Sequence, residues 1–120
     1  MLMTLPIYTK KYNKYKNNEI IINGIKFDSK KEANYYSELL LLKKGKVVKD
    51  IELQKPFVLQ EGFRYKGQAI RAIKYIADFE VAYADGHVEV VDTKGFKTKE
   101  YLLKRKMLLF KYPDINFVEV

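Results

Sequence analysis

Two long β-prone runs, "IRAIKYIADFEVAY" (70–83) and "HVEVVDTKGF" (87–96), flank Asp85-Gly86. Aspartate followed by glycine between such runs is a hairpin signal, because these residues tolerate the positive φ that tight turns demand. The runs therefore predict a central hairpin, and loop length sets its register. A three-residue loop, Ala84-Asp85-Gly86 with Gly86 left-handed, pairs Tyr83 with His87 and puts Asp78 opposite Asp92 on one face. A two-residue loop at Asp85-Gly86 pairs Phe79 with Asp92 instead and sends the two carboxylates to opposite faces.

The other elements follow from local signals. "EIIINGIKF" sets two short β-prone runs around Asn23-Gly24, predicting a small hairpin. A helix is expected from about Ser29 to Lys44, capped by Ser29 and ended by Gly45, with Ala33, Tyr36, Leu39 and Leu40 at helical spacing. "IELQKPFVLQ" reads as a strand in which Pro56 marks an edge or a bulge. "EGFRYKGQ" reads as a polar connection. A second helix is expected from about Thr98 to Tyr112, stopped by Pro113, with Leu102, Leu103, Leu109 and Phe110 inward and Lys99, Lys104, Arg105 and Lys106 outward or toward a ligand. "INFVEV" closes the order as a strand. The expected fold is a mixed α/β layer in one domain over residues 1–120.

Composition narrows the partner. The 120 residues carry 23 Lys and Arg against 15 Asp and Glu, a formal net charge of +8, which is the electrostatic footprint of a polyanion binder. Residues 8–16, "YTKKYNKYK", interleave Tyr8, Tyr12 and Tyr15 with Lys10, Lys11, Lys14 and Lys16. They lack an apolar period and read as a basic arm within residues 1–18, able to lie along phosphates while its rings stack on bases, or to serve as a solvated tail. With no cysteine, disulfides and thiolate zinc sites are excluded, and a reducing compartment is the simplest home. The single histidine, His87, builds no metal cluster and reads as an exposed strand-end residue. The N-terminal residues have the wrong charge order for a secretory signal, so the expectation is a soluble cytoplasmic protein that does not bind membranes.

The acidic residues carry the chemistry. Aspartate is a poor strand former, so Asp78 inside "YIADFE" and Asp92 at the end of "VEVVD" each ask for a reason. Either they are surface residues paired with nearby lysines, or they act together. Like charges directly across a ladder destabilise it unless something sits between them, and hard oxygen ligands suit Mg²⁺ or Mn²⁺ completed by water and phosphate oxygens. Lys94, two residues after Asp92 on the same expected strand, would point to the same face and stabilise developing negative charge. Glu32 has a plain alternative role: "SKKE", Ser29 to Glu32, matches a capping box.

Taken together, "FDSKKEANYY", "YIADFEV" and "VVDTKGFKT" resemble the PD-(D/E)XK nuclease superfamily, and more closely a family of small phage and prophage proteins assigned to it. The matching stretches run from about Phe27 to Val120. The resemblance implies a restriction-endonuclease-like core and a divalent-metal phosphodiesterase, an endonuclease acting on DNA. Asp78 and Asp92 would be metal ligands, with the Thr93 carbonyl as a third. Lys94 would position or activate water, and Glu32 would correspond to the first-helix glutamate of resolvase-like members. Lys97, Lys104 and Lys106 would hold flanking phosphates. Similarity to Holliday-junction resolvases makes branched DNA the leading substrate and a homodimer the expected assembly. The competing readings are a catalytically silent DNA-binding protein and a nicking or sequence-specific endonuclease.

Overall fold

The computed structural model describes residues 19–120. The expected basic arm, with Lys10, Lys11, Lys14 and Lys16, lies outside the described residues. By packing, the chain divides within its first helix into two compact units, one ending at Glu38 and the other spanning Leu39–Val120.

The first unit holds the expected hairpin. Strands β1 (Ile20–Ile22) and β2 (Ile25–Phe27) pair antiparallel, and Asn23 (φ 55°) and Gly24 (φ 79°) both take left-handed backbone in the turn. Helix α1 (Lys30–Lys44) then begins where Ser29 caps it, the Ser29 Oγ accepting from the Glu32 amide at 3.0 Å. Phe27 packs on Tyr36 with ring centroids 5.1 Å apart, and Ala33 is buried beside them in sequence on the same helical stripe.

The second unit opens with the end of α1, which stops at Lys44 as expected. Gly45 follows the helix, but the left-handed residue is Lys46 (φ 65°). The Val47 amide donates to the Leu42 carbonyl and the Lys46 amide to that of Lys43, which is a Schellman ending displaced one residue past the glycine. Strand β3 (Val48–Gln60) follows, then β4 (Phe63–Tyr65), β5 (Gln68–Ile70), β6 (Ile73–Tyr83) and β7 (Val88–Asp92). Helix α2 (Lys99–Lys111) and strand β8 (Phe117–Glu119) complete the order. A four-stranded mixed sheet runs β3-β6-β7-β8, antiparallel throughout except for the parallel β7–β8 pair. The chain is a mixed α/β protein, as expected, and β3 is an edge strand, where Pro56 costs the ladder least.

The β6–β7 register is the one set by the three-residue loop. Phe79 pairs with Val91 and Ala82 with Val88, the Tyr83 amide donates to the His87 carbonyl, and Gly86 has φ 100°. The ladder ends at Phe79–Val91, and Asp78 and Asp92 are the next residues at its open end. Asp85 Oδ1 accepts from the His87 amide at 3.0 Å, closing the turn, and the exposed His87 ring stacks on Tyr83.

Two expectations fail in this unit. "EGFRYKGQ" is not a connection: it contributes to a second hairpin, β4–β5, whose turn is made by Lys66 (φ 48°) and Gly67 (φ 81°). Helix α2 is rotated from its expected orientation. Leu102, Leu103, Leu109 and Phe110 are exposed, and the residues buried are Tyr101 and Leu108. The reason is tertiary. Tyr101 Oη donates to Glu119 at 2.5 Å and Arg105 reaches the same carboxylate at 2.7 Å, so the stripe carrying these residues must face β8. Leu108 continues that stripe into a core with Leu59, Tyr75, Ala77 and Val90.

That core exposes an irregularity. Val90 faces Glu80 across the ladder yet shares a core with Ala77, whereas strict alternation would give Ala77 and Glu80 opposite faces. The alternation therefore slips around Asp78. At the matching place in β3, between the pairs Leu53–Phe79 and Lys55–Ala77, Gln54 has φ 52°. Among the described residues no helix is long and apolar enough to cross a membrane.

Replacing Lys46 with glycine removes the cost of a left-handed non-glycine residue while leaving the helix end intact. Lys46→Gly is expected to stabilise the protein by about 1 kcal/mol in urea unfolding, and an unchanged or lower midpoint would contradict the Schellman assignment.

Candidate active site

Asp92 ends β7 fully buried, between β6 on one side and β8 on the other. Its Oδ2 accepts a hydrogen bond from the Tyr75 hydroxyl, a residue of the neighbouring strand. Its Oδ1 has no hydrogen-bond partner among the described residues. A buried carboxylate oxygen without a donor is costly, and the group responds as expected. Burial pushes the Asp92 carboxyl up from its ordinary 3.8 to about 6, against the pull of the Lys94 charge.

Asp78 is held differently. Its Oδ2 accepts from both the amide and the hydroxyl of Thr93, at 2.9 and 2.8 Å. These bonds tie the slip in β6 to the first residue past β7, so Asp78 and Thr93 fix each other's position. Thr93 is buried, and the chain leaves the sheet there. Lys94 is consequently not a strand residue, which corrects the expected strand through "DTK": β7 stops at Asp92 because β8, its outer partner, stops at Glu119 opposite it. The Lys94 ammonium instead lies over the Tyr101 ring, 5.5 Å from the centroid, still close enough to act on Asp92.

Beside this group opens a cleft of about 250 Å³ lined by Lys74, Tyr75, Lys94, Tyr101 and Lys104 among others. Three lysines thus surround a space whose wall includes the tyrosine bound to Asp92. Lys104 also pairs with Glu100 at 3.2 Å, one helical turn away. Lys97 and Lys106 are exposed outside this lining.

The structure thus gathers Asp78, in the middle of β6, with Asp92 at the end of β7 and Thr93 and Lys94 just beyond it. Glu32 lies in the first turn of α1, in the other compact unit, where its amide takes part in the Ser29 cap. Sequence reasoning missed Tyr75 and Glu119. Glu119 pairs with Asp92 in the parallel ladder, and its carboxyl is held below its usual range by the Tyr101 hydroxyl and by Arg105. Neither residue carries a local signal, since a strand tyrosine and a terminal strand glutamate look like core and surface. Glu80 is paired across the ladder with Lys55 at 3.4 Å, and that same lysine reaches Glu52, three residues before it on β3.

A divalent cation fits the donor set only in part. Among the described residues no three His, Cys, Asp or Glu side chains converge as a cage. The orphaned Asp92 Oδ1, the facing Asp78 and the Thr93 carbonyl are hard oxygens of the kind Mg²⁺ uses when water and phosphate supply the rest of its shell.

A mixed sheet with a buried aspartate at the end of one central strand and a half-buried one in the middle of the next, beside a lysine-lined cleft, defines the class of site. The chain belongs to the family described as a protein of unknown function (DUF1064), whose model matches residues 12–120. No match was found among curated proteins or among solved structures.

A raised carboxyl pKa destabilises the fold wherever the unfolded chain would already be ionised. The penalty is fully present above about pH 6, fades as pH falls, and is gone below the unfolded value of 3.8, amounting to about 3 kcal/mol at neutral pH. Asp92→Asn keeps an acceptor for Tyr75 and removes the charge. In EDTA it is expected to be about 1 to 3 kcal/mol more stable than wild type at pH 8, with the gap closing toward pH 4. Denaturant unfolding at the two pH values checks this, and a variant less stable at pH 8 would contradict it.

Proposed function

We propose that the chain is a metal-dependent endodeoxyribonuclease that hydrolyses phosphodiester bonds. The observation that carries this reading is the buried Asp92 carboxylate, uncompensated at Oδ1, next to the Thr93 that Asp78 holds and beside a cleft lined by lysines. Natural folds retain a destabilising buried charge chiefly where function requires it.

Asp92 Oδ1, an Asp78 oxygen and the Thr93 carbonyl would hold Mg²⁺ or Mn²⁺, which supplies Lewis-acid polarisation of a phosphoryl oxygen and a water of lowered pKa when bound. The protein supplies the rest. Tyr75 orients Asp92 from one side, and Thr93 orients Asp78 through two hydrogen bonds. Lys94 brings a positive charge to the negative charge that develops on the phosphorane, and its place over the Tyr101 ring restricts where that charge can go. Lys74 and Lys104 bind the phosphates on either side of the scissile one, consistent with the net charge of +8. A role for Glu32 rests on the resemblance to resolvase-like nucleases alone.

Branched DNA is the proposed substrate, cut by a homodimer in the cytoplasm of a phage-infected or lysogenic cell. A second reading, a silent DNA-binding protein with a nuclease-like fold, draws on the lack of a three-carboxylate cage among the described residues.

The test is cleavage of an end-labelled four-way junction and a matched linear duplex with Mg²⁺, Mn²⁺ or EDTA. Metal-dependent cutting of the junction is expected, reduced at least about 100-fold in Asp92→Ala and in Lys94→Ala. Equal cutting of both substrates would keep the nuclease and remove the junction preference. Salt-sensitive binding with no cutting under any metal would establish the silent binder.

A further inference from the structure

The β4–β5 hairpin is the least explained part of the molecule. It is inserted between Gln60 and Ile73, which pair with each other, so it continues outward from the end of the long β3–β6 ladder while forming a sheet of its own. Every residue from Glu61 to Arg71 is exposed. An isolated two-stranded sheet gains little from burial, and natural proteins seldom leave large apolar side chains on one without a use.

Its two faces differ chemically. Phe63 pairs with Ile70, and Tyr65 with Gln68, so two aromatic rings and an isoleucine share one face. Phe63 and Tyr65 are 48% and 61% exposed. Arg64, opposite Ala69, projects from the other face, Lys66 occupies the turn, and Arg71 stands at the base. Gly62 makes this base possible, because a Cβ there would lie 3.1 Å from the Ile70 carbonyl oxygen.

The cationic character does not end at the hairpin. Arg71 leads into β6, where Lys74 lines the cleft together with Lys94 and Lys104, and Tyr75 touches Asp92. Ile73, where the hairpin joins β6, lies five residues from Asp78, roughly 17 Å along a strand. That distance is several nucleotides of extended single strand.

We propose that the β4–β5 hairpin is a nucleic-acid finger, in which Phe63 and Tyr65 stack on unpaired DNA bases while Arg64, Lys66 and Arg71 hold phosphates of the strand entering the cleft. This rests on the nuclease reading for the cleft's role, though binding by the finger does not require cleavage. Aromatic rings on a cationic hairpin suit unpaired bases, because every base offers a ring face and the phosphates supply the affinity. The finger thereby selects DNA with an opened strand, such as a branch point.

The experiment uses the full chain in EDTA, with fluorescence anisotropy on a labelled single strand, a four-way junction and a fully paired duplex over a range of salt. Arg64→Gln with Lys66→Gln and Arg71→Gln is expected to weaken binding to all three and to lower the salt slope by about 2 to 3. Tyr65→Leu is expected to lose about ten-fold or more on the single strand and junction and little on duplex, with Tyr65→Trp restoring binding. 2-Aminopurine placed at the branch point should lose fluorescence on binding wild type and not on binding Tyr65→Leu. Circular dichroism melts identify any variant that fails to fold, and for these exposed positions wild-type melts are expected.

Unchanged affinity, salt slope and fluorescence in the folded variants would overturn the finger, whatever the cleavage assay gives. Loss of self-association on size-exclusion in Tyr65→Leu with DNA affinity intact would also overturn it, in favour of a protein-docking role. If the finger variants lose binding as expected but wild type cuts no DNA with any metal, the finger stands and the nuclease reading falls.

Discussion

The β6–β7 turn is the constraint on which the remaining geometry depends. Gly86 in left-handed backbone closes a loop of three residues, and that count alone decides that Phe79 meets Val91. One residue fewer would have paired Phe79 with Asp92 instead. Because β7 is an interior strand, the same register also sets where β8 lies: Val90, Val91 and Asp92 pair with Phe117, Val118 and Glu119. Glu119 in turn fixes the rotation of α2 through Tyr101 and Arg105. A single turn thus propagates through two strands and a helix to the lysines that line the cleft.

The site concentrates departures from regular structure. Gln54 is left-handed within a strand, the alternation of β6 slips around Asp78, and Asp92 is buried with one oxygen unsatisfied. Each departure costs stability, and on either side of the slip β6 keeps its own alternation, with Tyr75 and Ala77 buried before it and Phe79 and Val81 after it. Such clustering of strain and desolvation beside a charged cleft is the usual physical signature of a site rather than of a poorly made core.

What the sequence disclosed divides along the same physical line. Local chemistry was legible: Asn23-Gly24, Ser29, Asp85-Gly86 and Pro113 each act on their immediate neighbours, and the corresponding turns and helix ends lie where those residues predict. The orientation of α2 was not, because Leu102, Leu103, Leu108 and Leu109 offer competing apolar stripes and the choice belongs to Glu119, 18 residues from Tyr101. The β4–β5 hairpin escaped notice because its strands are three residues each, too short for the Phe63-Arg64-Tyr65 alternation to stand out, and its turn uses Lys66 where asparagine or aspartate would have announced it. For the site, Asp78, Asp92 and Lys94 stood out by residue type in unusual positions. The hydroxyls of Tyr75 and Thr93 that hold the two carboxylates did not, since their role exists only once the strands are paired.

The outer edge of β3 has a consequence for assembly. Thirteen residues of edge strand would ordinarily offer a template on which another chain could extend the sheet. Here Pro56 withholds a donor, Gln54 turns the backbone out of line, and the pairing is broken near Asp50 and again near Gln60. Lys49, Asp50, Glu52 and Lys55 add charge along the same strand. The edge is thereby guarded against strand addition and fibril growth, which leaves the three-residue β8 as the sheet's other open margin.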